Sequence, residues 1–160
     1  MMDCDECGFD YDSDVFPAMT DVVADVAAVL RGPGDLRSRR EPATWSPLEY
    51  ACHLRDVLLV QRERVLAGRR TDGYECQPMG RDERVDHDGY ADQDPEAVAR
   101  QLTDAALMFT TVLDRLSPAD WQRTILYAYP SPEWRSLRWV ERHTAHEVRH
   151  HLLDIRRQLA

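Results

Sequence analysis

A cluster of histidines and one glutamate near the C-terminus has the residue types and spacing of a metal site. Four of the six histidines lie within residues 143–151, and Glu147 lies among them. Neutral imidazole is the commonest metal ligand in proteins, and side chains four residues apart project from the same side of a helix. Two such pairs interleave, Glu147 with His151 and His146 with His150. The pattern predicts metal binding; a solvated, histidine-rich surface segment is the alternative.

Helical periodicity separates these two pairs. At about 100° per residue, one sector of the last helix is apolar. Its members are Leu137, Thr144, Val148, Leu152, Ile155 and Leu159. Glu147 and His151 lie on the shoulder of this sector, whereas His146 and His150 lie on the far side. We therefore expect only Glu147 and His151 to reach the interior of the fold.

A fifth histidine, His53, lies on the apolar stripe of an earlier helix, together with Val57 and Val60. A lone histidine on such a stripe is more often a hydrogen-bonded core residue than a ligand. Together with Glu147 and His151, however, it completes a set of two histidines and one carboxylate, which leaves coordination positions open for water or substrate. Zinc is the favoured divalent metal, and nickel, iron and manganese stay open.

Two aspartates are placed to orient the imidazoles of this set. Asp56 follows His53 by three residues, and Asp154 follows His151 by three. Ligating histidines usually donate their second ring N–H to such a group, so we predict that both carboxylates lie behind the ligands. Ordinary surface acids are the alternative.

The cysteines suggest a second metal site. They are Cys4, Cys7, Cys52 and Cys76. Because we expect a cytoplasmic protein with reduced thiols, metal binding or packing is considered before disulfides. Residues 4–8 form a CxxC-Gly knuckle, which with His146 and His150 supplies the ligands of a Cys2His2 zinc site.

This second hypothesis is a structural zinc that clips an N-terminal arm, residues 1–15, onto the outer face of the last helix. The arm is acidic and poor in apolar residues, so burial alone is not expected to dock it. The alternatives are a free or redox-active CxxC on a flexible arm, and outward histidines that are merely solvated.

Composition excludes several classes of protein. The 160 residues are 43% hydrophobic and 31% charged, with a formal net charge of −9, as in an ordinary globular domain. Nucleic-acid binding is not expected, because the only dense basic run, Arg37–Arg40, is short. Apolar runs fall short of the roughly 20 residues that span a bilayer, and the N-terminus lacks the pattern of a secretory signal.

The first two helices have clear boundaries. Apolar residues recur at helical spacing from Val22 to Leu30, and Gly32-Pro33-Gly34 must end that helix. Ser46-Pro47-Leu48-Glu49 combines an N-cap serine, proline at the first helical position and glutamate at the third. We predict a helix from there to about Ala67.

Two further long helices follow. Asp94-Pro95-Glu96 repeats the cap-proline-acid pattern and opens a helix that reaches about Leu116, and the last helix runs from about Ser136 to Leu159. Ser117–Asp120 is expected to start a short helical turn.

Residues 68–93, rich in glycine, proline and charge, are interpreted as an irregular connection that forms part of a pocket wall. Ile125–Tyr129 has strand character but is interpreted as loop. Four long helices without a second strand to pair predict an all-α four-helix bundle over residues 16–160, with one long crossover.

These motifs resemble the DinB-like superfamily, which includes thiol-dependent S-transferases and mycothiol-dependent maleylpyruvate isomerase. The resemblance rests on Trp45-Ser46-Pro47, on His53, and on Glu147-x3-His151-x2-Asp154-Ile155. It implies a four-helix bundle with a divalent metal held by one residue of the second helix and two of the last. Most members have histidine at all three positions. The maleylpyruvate isomerase branch has glutamate at the position of Glu147, as here.

The leading functional hypothesis is therefore a metal-dependent transferase or isomerase that uses a low-molecular-weight thiol, such as mycothiol, on a small electrophilic substrate. Arg138, Arg142 and Arg149 are candidates for binding carboxylates of thiol or substrate. A metal-dependent hydrolase and a non-enzymatic metal-binding module are the alternatives. The expected partners are small molecules, not nucleic acid or membrane, and a homodimer stays open.

Overall fold

The computed structural model describes residues 4–13 and 17–160. Its five helices are α1 (Met19–Arg31), α2 (Pro47–Arg70), α3 (Arg81–His87), α4 (Pro95–Leu113) and α5 (Leu137–Leu159). Its three strands are β1 (Tyr74–Glu75), β2 (Thr124–Tyr127) and β3 (Glu133–Ser136). The predicted boundary between arm and bundle, between residues 15 and 16, lies outside the described residues.

Side-chain caps fix where three of the long helices begin. The hydroxyl of Ser46 accepts from the backbone N–H of Glu49, whose carboxylate in turn accepts from the N–H of Ser46. Asp94 caps α4 and Ser136 caps α5 in the same way, each accepting from the N–H three residues on. Each cap satisfies N–H groups that have no partner inside the helix. The predicted helix starts are confirmed.

The four long helices form the predicted four-helix bundle. On one side α2 packs against both α4 and α5, and on the other side α1 packs against the same two helices, so α1 and α2 are diagonal neighbours. The interior is filled by fully buried apolar side chains, among them Leu54, Phe109 and Ile155. Cys52 and Cys76 pack in this core as free thiols. No helix in the described part of the chain is long and apolar enough to cross a membrane.

The interpretation of Ile125–Tyr129 as loop was wrong for residues 125–127. β2 covers residues 124–127 and pairs antiparallel with β3, with Thr124 opposite Ser136, and parallel with β1, with Tyr74 opposite Ile125. The partners of β2, β1 and β3, are short and carry little strand signal in the sequence. The formation of the sheet therefore depends on tertiary contacts.

The connection after α2 is also more regular than predicted. It contains β1, the two-turn helix α3 and a 3-10 turn at Tyr90–Asp92, and Tyr90 is fully buried. At its start, Gly68 allows α2 to approach the sheet. A Cβ there would lie 2.6 Å from Cγ2 of Ile125 and 2.9 Å from Cδ2 of Leu137. The absence of a side chain at Gly68 therefore permits this close approach.

The N-terminal arm docks partly through the burial of two aromatic residues. Phe9 is 2% exposed and Tyr11 is 8% exposed, and both belong to the apolar core. Their rings meet edge to face with centroids 5.1 Å apart. Two aromatic residues thus contribute the apolar area that the acidic remainder of the arm lacks.

Candidate metal-binding site

The structure brings His53, Glu147 and His151 together between α2 and α5. Nε2 of His53 lies 4.0 Å from Oε2 of Glu147, and Nε2 of His151 lies 3.5 Å from the same oxygen. One ligand atom from each residue falls within 4.8 Å of the others. Two ligands of one tetrahedral ion, each at about 2.1 Å, lie roughly 3.4 Å apart. This set therefore has the donor types and spacing to hold one divalent ion.

Asp154 stands behind the ligand set as the sequence predicted, and Asp56 does not. Oδ2 of Asp154 lies 2.9 Å from Nδ1 of His151, which leaves Nε2 of that ring directed at Glu147.

The carboxylate of Asp56 accepts instead from the hydroxyl of Tyr90 at 2.5 Å and pairs with Arg55 and Arg84. Nδ1 of His53 is buried without a hydrogen-bond partner among the described residues. The prediction that Asp56 orients His53 is corrected: the helix turns this carboxylate toward the crossover connection.

The protonation states of these groups are set by burial and by one another. Burial, aided by the nearby His151, lowers the pKa of His53 to about 4, so this ring is neutral at pH 7, as a ligand must be. Burial alone would lower the pKa of His151, but its contacts with Asp154 and Glu147 raise it. Burial opposes ionisation of Glu147, yet the hydrogen bond with His151 lowers its pKa. A metal ion bound to His151 would compete with a proton for its ring nitrogen.

An open pocket of about 540 Å³ lies over this set. Its lining includes the ligand set and the neighbouring histidines of α5, together with aromatic and aliphatic side chains such as Trp45, Val57, Met79 and Tyr127 and several charged residues. Residues 78–83 of the crossover form part of the wall, which confirms the role predicted for that connection. Pockets of this size accept small-molecule ligands.

His146 and His150 are closer to the interior than predicted. Both line the same pocket as Glu147 and His151, and the rings of His150 and His151 lie 5.7 Å apart. The outer pair is covered by the arm, with Sγ of Cys4 3.5 Å from Nδ1 of His150. We expected the two pairs to lie on opposite faces of α5. The structure instead places them next to each other, as two adjacent clusters along one side of the helix.

His143 is a pocket residue that the sequence analysis did not assign. Its ring stacks on Trp139 with centroids 4.5 Å apart, and its Nδ1 lies 3.3 Å from the hydroxyl of Tyr11. His143, His146 and Glu147 also form a third set whose ligand atoms fall within 4.8 Å of one another. Because Glu147 belongs to two overlapping sets, the ligand assignment needs a test that separates them.

Arg64 and Gln61 were also missed, although the sequence carried a signal for them. Residues 53, 57, 60, 61 and 64 continue one helical stripe. Gln61 donates to the hydroxyl of Tyr127 at 2.8 Å, and the guanidinium of Arg64 lies 4.8 Å from the Tyr127 ring centroid. Arg64 is 8% exposed. The available indication was an arginine at helical spacing from a candidate ligand, on an otherwise largely apolar stripe.

The arginines proposed to bind carboxylates have other contacts. Arg149 donates to the carbonyl of Cys7 at 2.9 Å, and Arg142 donates to the carbonyl of Tyr11 at 2.6 Å. Arg138 lies over the ring of Trp121 and near Glu141. The first two hold the arm against α5. Arg64 and Arg81 line the pocket, and each also has a partner, since Arg64 donates to the carbonyl of Gln77 and Arg81 to the carboxylate of Asp82.

Comparison with known proteins agrees with this fold. The solved structure of YfiT from Bacillus subtilis, described as "a probable metal-dependent hydrolase with an unusual four-helix bundle topology", superimposes with a TM-score of 0.69. The match has 17% sequence identity and covers 91% of each chain, so it shows a shared fold. A search among curated proteins found no match. The model of the DinB superfamily matches residues 18–155, and the chain therefore belongs to the DinB superfamily.

Proposed function

We propose that this protein is a metal-dependent enzyme in which His53, Glu147 and His151 hold a divalent ion, and that it transfers or adds a small thiol to an electrophilic substrate. The observation that carries the proposal is the convergence of these three side chains on one side of an open pocket. Glu147 adds support, because the resemblance places glutamate there in the thiol-dependent isomerase branch.

The ligand count fits a catalytic site better than a structural one. Three protein ligands leave at least one position open, whereas structural zinc sites use four. A divalent ion held by these three ligands would supply Lewis acidity, which lowers the pKa of a thiol or water bound at the open position. Asp154 holds the His151 ring in the orientation that directs its Nε2 toward Glu147.

The remaining pocket residues would bind and orient the organic reactants. Trp45, Met79 and Tyr127 provide an apolar wall that excludes water from the reacting groups. Arg64 and Arg81 also line the pocket, and guanidinium binds carboxylates in bidentate fashion. We expect a small substrate or thiol that carries a carboxylate and an apolar part.

A metal-dependent hydrolase is the second candidate, because the structural neighbour YfiT is described as a probable one. The same three ligands and the same open position serve water as readily as a thiol. The two candidates differ in one requirement, which is the presence of the thiol.

Turnover measured with and without a thiol distinguishes them. Zinc-loaded protein would be given a chromogenic aryl halide with and without mycothiol, and separately a p-nitrophenyl ester. The proposal predicts aryl halide turnover that requires mycothiol, is abolished in His53→Ala, and is retained in His87→Ala, which alters an exposed histidine of α3.

Ester hydrolysis that proceeds equally without thiol, and that is lost in His53→Ala, would replace the proposal by the hydrolase. If the zinc-loaded protein turns over neither substrate, yet still binds the metal at these residues, a binding module is favoured.

A further inference from the structure

We infer that Cys4, Cys7, His146 and His150 form a second, separate metal site that holds a structural zinc ion and fixes the N-terminal arm against α5. The four side chains offer ligand atoms that all lie within 4.8 Å of one another. None of them belongs to the set formed by His53, Glu147 and His151. This site goes beyond the proposed enzymatic function and does not depend on it.

The arm folds into a tight turn that presents both thiols together. The backbone N–H of Cys4 donates to the carbonyl of Phe9 at 3.0 Å, and the N–H of Gly8 donates to the carbonyl of Cys4 at 2.8 Å. Gly8 has a φ of +65°, a conformation that a residue with a side chain seldom adopts. A Cys-x-x-Cys-Gly turn of this kind is a common half of a zinc site.

Three further contacts, none of which involves a thiol, hold this turn against the part of α5 that carries His146 and His150. Arg149, one residue before His150, donates to the carbonyl of Cys7 at 2.9 Å. Arg157 donates to the carboxylate of Glu6 at 2.9 Å. The ring of Phe9 meets that of His146 with centroids 5.5 Å apart. The arm is therefore held at one position along α5, with its thiols toward the two rings.

The distance between thiol and imidazole is that of two ligands on one ion. Sγ of Cys4 lies 3.5 Å from Nδ1 of His150. With a Zn–S bond of about 2.3 Å and a Zn–N bond of about 2.1 Å, sulfur and nitrogen on a tetrahedral ion lie roughly 3.6 Å apart. All four cysteines of the chain are free thiols, so Cys4 and Cys7 are available as ligands.

His146 supplies a second observation that points to a ligand. Both of its ring nitrogens are buried, and neither has a hydrogen-bond partner among the described residues. The nearest carboxylate, that of Glu147, lies 3.9 Å from Nδ1, beyond hydrogen-bonding distance. Burying an imidazole with both nitrogens unsatisfied is costly. A metal ion bound to one nitrogen removes part of that cost.

The composition of the site indicates its metal and its role. Two thiolates and two imidazoles are the ligands of structural zinc, and four protein ligands leave no position for substrate. Soft thiolate ligands also disfavour magnesium, calcium and manganese. The interior set has three ligands and no sulfur, so metal spectroscopy can separate the two sites within one protein.

Cobalt substitution provides the test. Metal-free protein would be loaded with cobalt alone, and its absorption spectrum recorded for the wild type, for Cys4→Ser/Cys7→Ser, and for the matched control Cys76→Ala, which alters a buried cysteine outside both sites. We expect a thiolate-to-cobalt charge-transfer band in the wild type and the control and its complete loss in the double variant. The double variant should bind one cobalt fewer per chain, whereas His53→Ala should also lose one and keep the band.

A measurement on the wild-type chain guards against a variant that fails to fold. Cys4 and Cys7 should be alkylated in metal-free protein and protected after zinc is added, whereas Cys52 and Cys76, which are buried, should react slowly in both states. Absence of the charge-transfer band from cobalt-loaded wild type, or alkylation of Cys4 and Cys7 that zinc does not slow, would overturn the proposal.

Discussion

The interior cluster and the arm cluster use the same helix but are built in different ways. The interior cluster takes His53 from α2 and Glu147 and His151 from α5, and it faces an open pocket. The arm cluster takes two residues of α5 and adds two thiols from the N-terminal turn. One has three candidate ligands on rigid helices, and the other has four, half of them on a short segment that has no helix.

Ligand number and ligand origin differ between the clusters in the way expected of a catalytic and a structural metal site. Helices packed in a bundle hold side chains in place whether or not a metal is bound, so a site on them can leave positions open for reactants. A short arm gains order from a closed site, because the metal offsets part of the chain entropy lost on docking. The i and i+4 spacing of α5 serves both clusters, with residues 146 and 150 in one and 147 and 151 in the other.

The largest effect should come from removing an interior ligand. His151→Ala should weaken metal binding at the interior cluster by more than about 100-fold, because changes behind a ligand already cost roughly 10–100-fold. The arm cluster should keep its metal, since His151 is not among its ligands. Isothermal titration with zinc, analysed for two sites, measures both affinities.

His143→Ala serves as the companion variant, because it separates the two sets that share Glu147. If His53, Glu147 and His151 hold the ion, His143→Ala should leave the interior affinity unchanged. Loss of the metal in His143→Ala with full retention in His151→Ala would assign the ion to His143, His146 and Glu147 instead.

A smaller effect should follow from Asp154→Asn, which acts on both clusters unequally. Oδ2 of Asp154 lies 2.9 Å from Nδ1 of His151 and 3.7 Å from Nε2 of His150, so it faces one candidate ligand of each cluster. We expect the interior affinity for zinc to fall about 10–100-fold. The zinc affinity of the arm cluster should fall less, because the 3.7 Å between Asp154 and His150 exceeds hydrogen-bonding distance.

The matched control is Asp25→Asn. Asp25 is an exposed residue of α1, and its carboxylate contacts Arg156 of α5, the helix that carries Asp154. This substitution should change neither affinity. Equal losses at the two clusters in Asp154→Asn would contradict the assignment of Asp154 as the residue that orients His151 in particular.

The elements that the sequence predicted are those whose signals are local. The caps predicted at Ser46 and Asp94, and the helix start predicted near Ser136, depend on side chains within three residues, and all three are confirmed. The inward orientation of His53, Glu147 and His151 follows from helical periodicity alone. The pairing of the N-terminal thiols with His146 and His150 required only complementary ligand types, and the structure places these residues together.

The features that escaped prediction depend on distant contacts. β2 pairs with β1 across about fifty residues of sequence, and β1, with two residues, is too short to carry a strand pattern. Asp56 binds Tyr90 because the crossover folds back over α2, which its sequence does not reveal. Phe9 and Tyr11 are buried in an arm whose backbone accepts hydrogen bonds from Arg142 and Arg149, more than 130 residues away. Local periodicity cannot report on any of these contacts.

The smallest effect should come from replacing Glu49, which supports the helix that carries His53 but is not itself a candidate ligand. Glu49 completes the cap of α2 one turn before His53, and Arg39 donates to its carboxylate at 2.7 and 2.8 Å. Burial raises the pKa of Glu49, but the hydrogen bonds from Arg39 and Ser46 outweigh it and lower the pKa below the usual 4.5. Glu49→Gln should lower the free energy of unfolding at pH 7 by only about 1 kcal/mol, because Arg39 is partly exposed and glutamine still accepts from Ser46.

The pH dependence of this difference gives the stricter test. A carboxylate with a lowered folded-state pKa stabilises the fold above its unfolded-state pKa, and that contribution is lost as the pH falls through the folded-state value. The difference between wild type and Glu49→Gln in urea unfolding should therefore be constant from pH 7 to about pH 5 and shrink at lower pH. Glu63→Gln, an exposed position on the same helix, should show neither effect.

Zinc affinity should be unchanged in Glu49→Gln, because this carboxylate supports the helix that carries His53 and offers no ligand atom to either cluster. A fall in zinc affinity larger than the loss of stability would mean that the helix start and the metal site are coupled, and the separation of scaffold from ligands would fail.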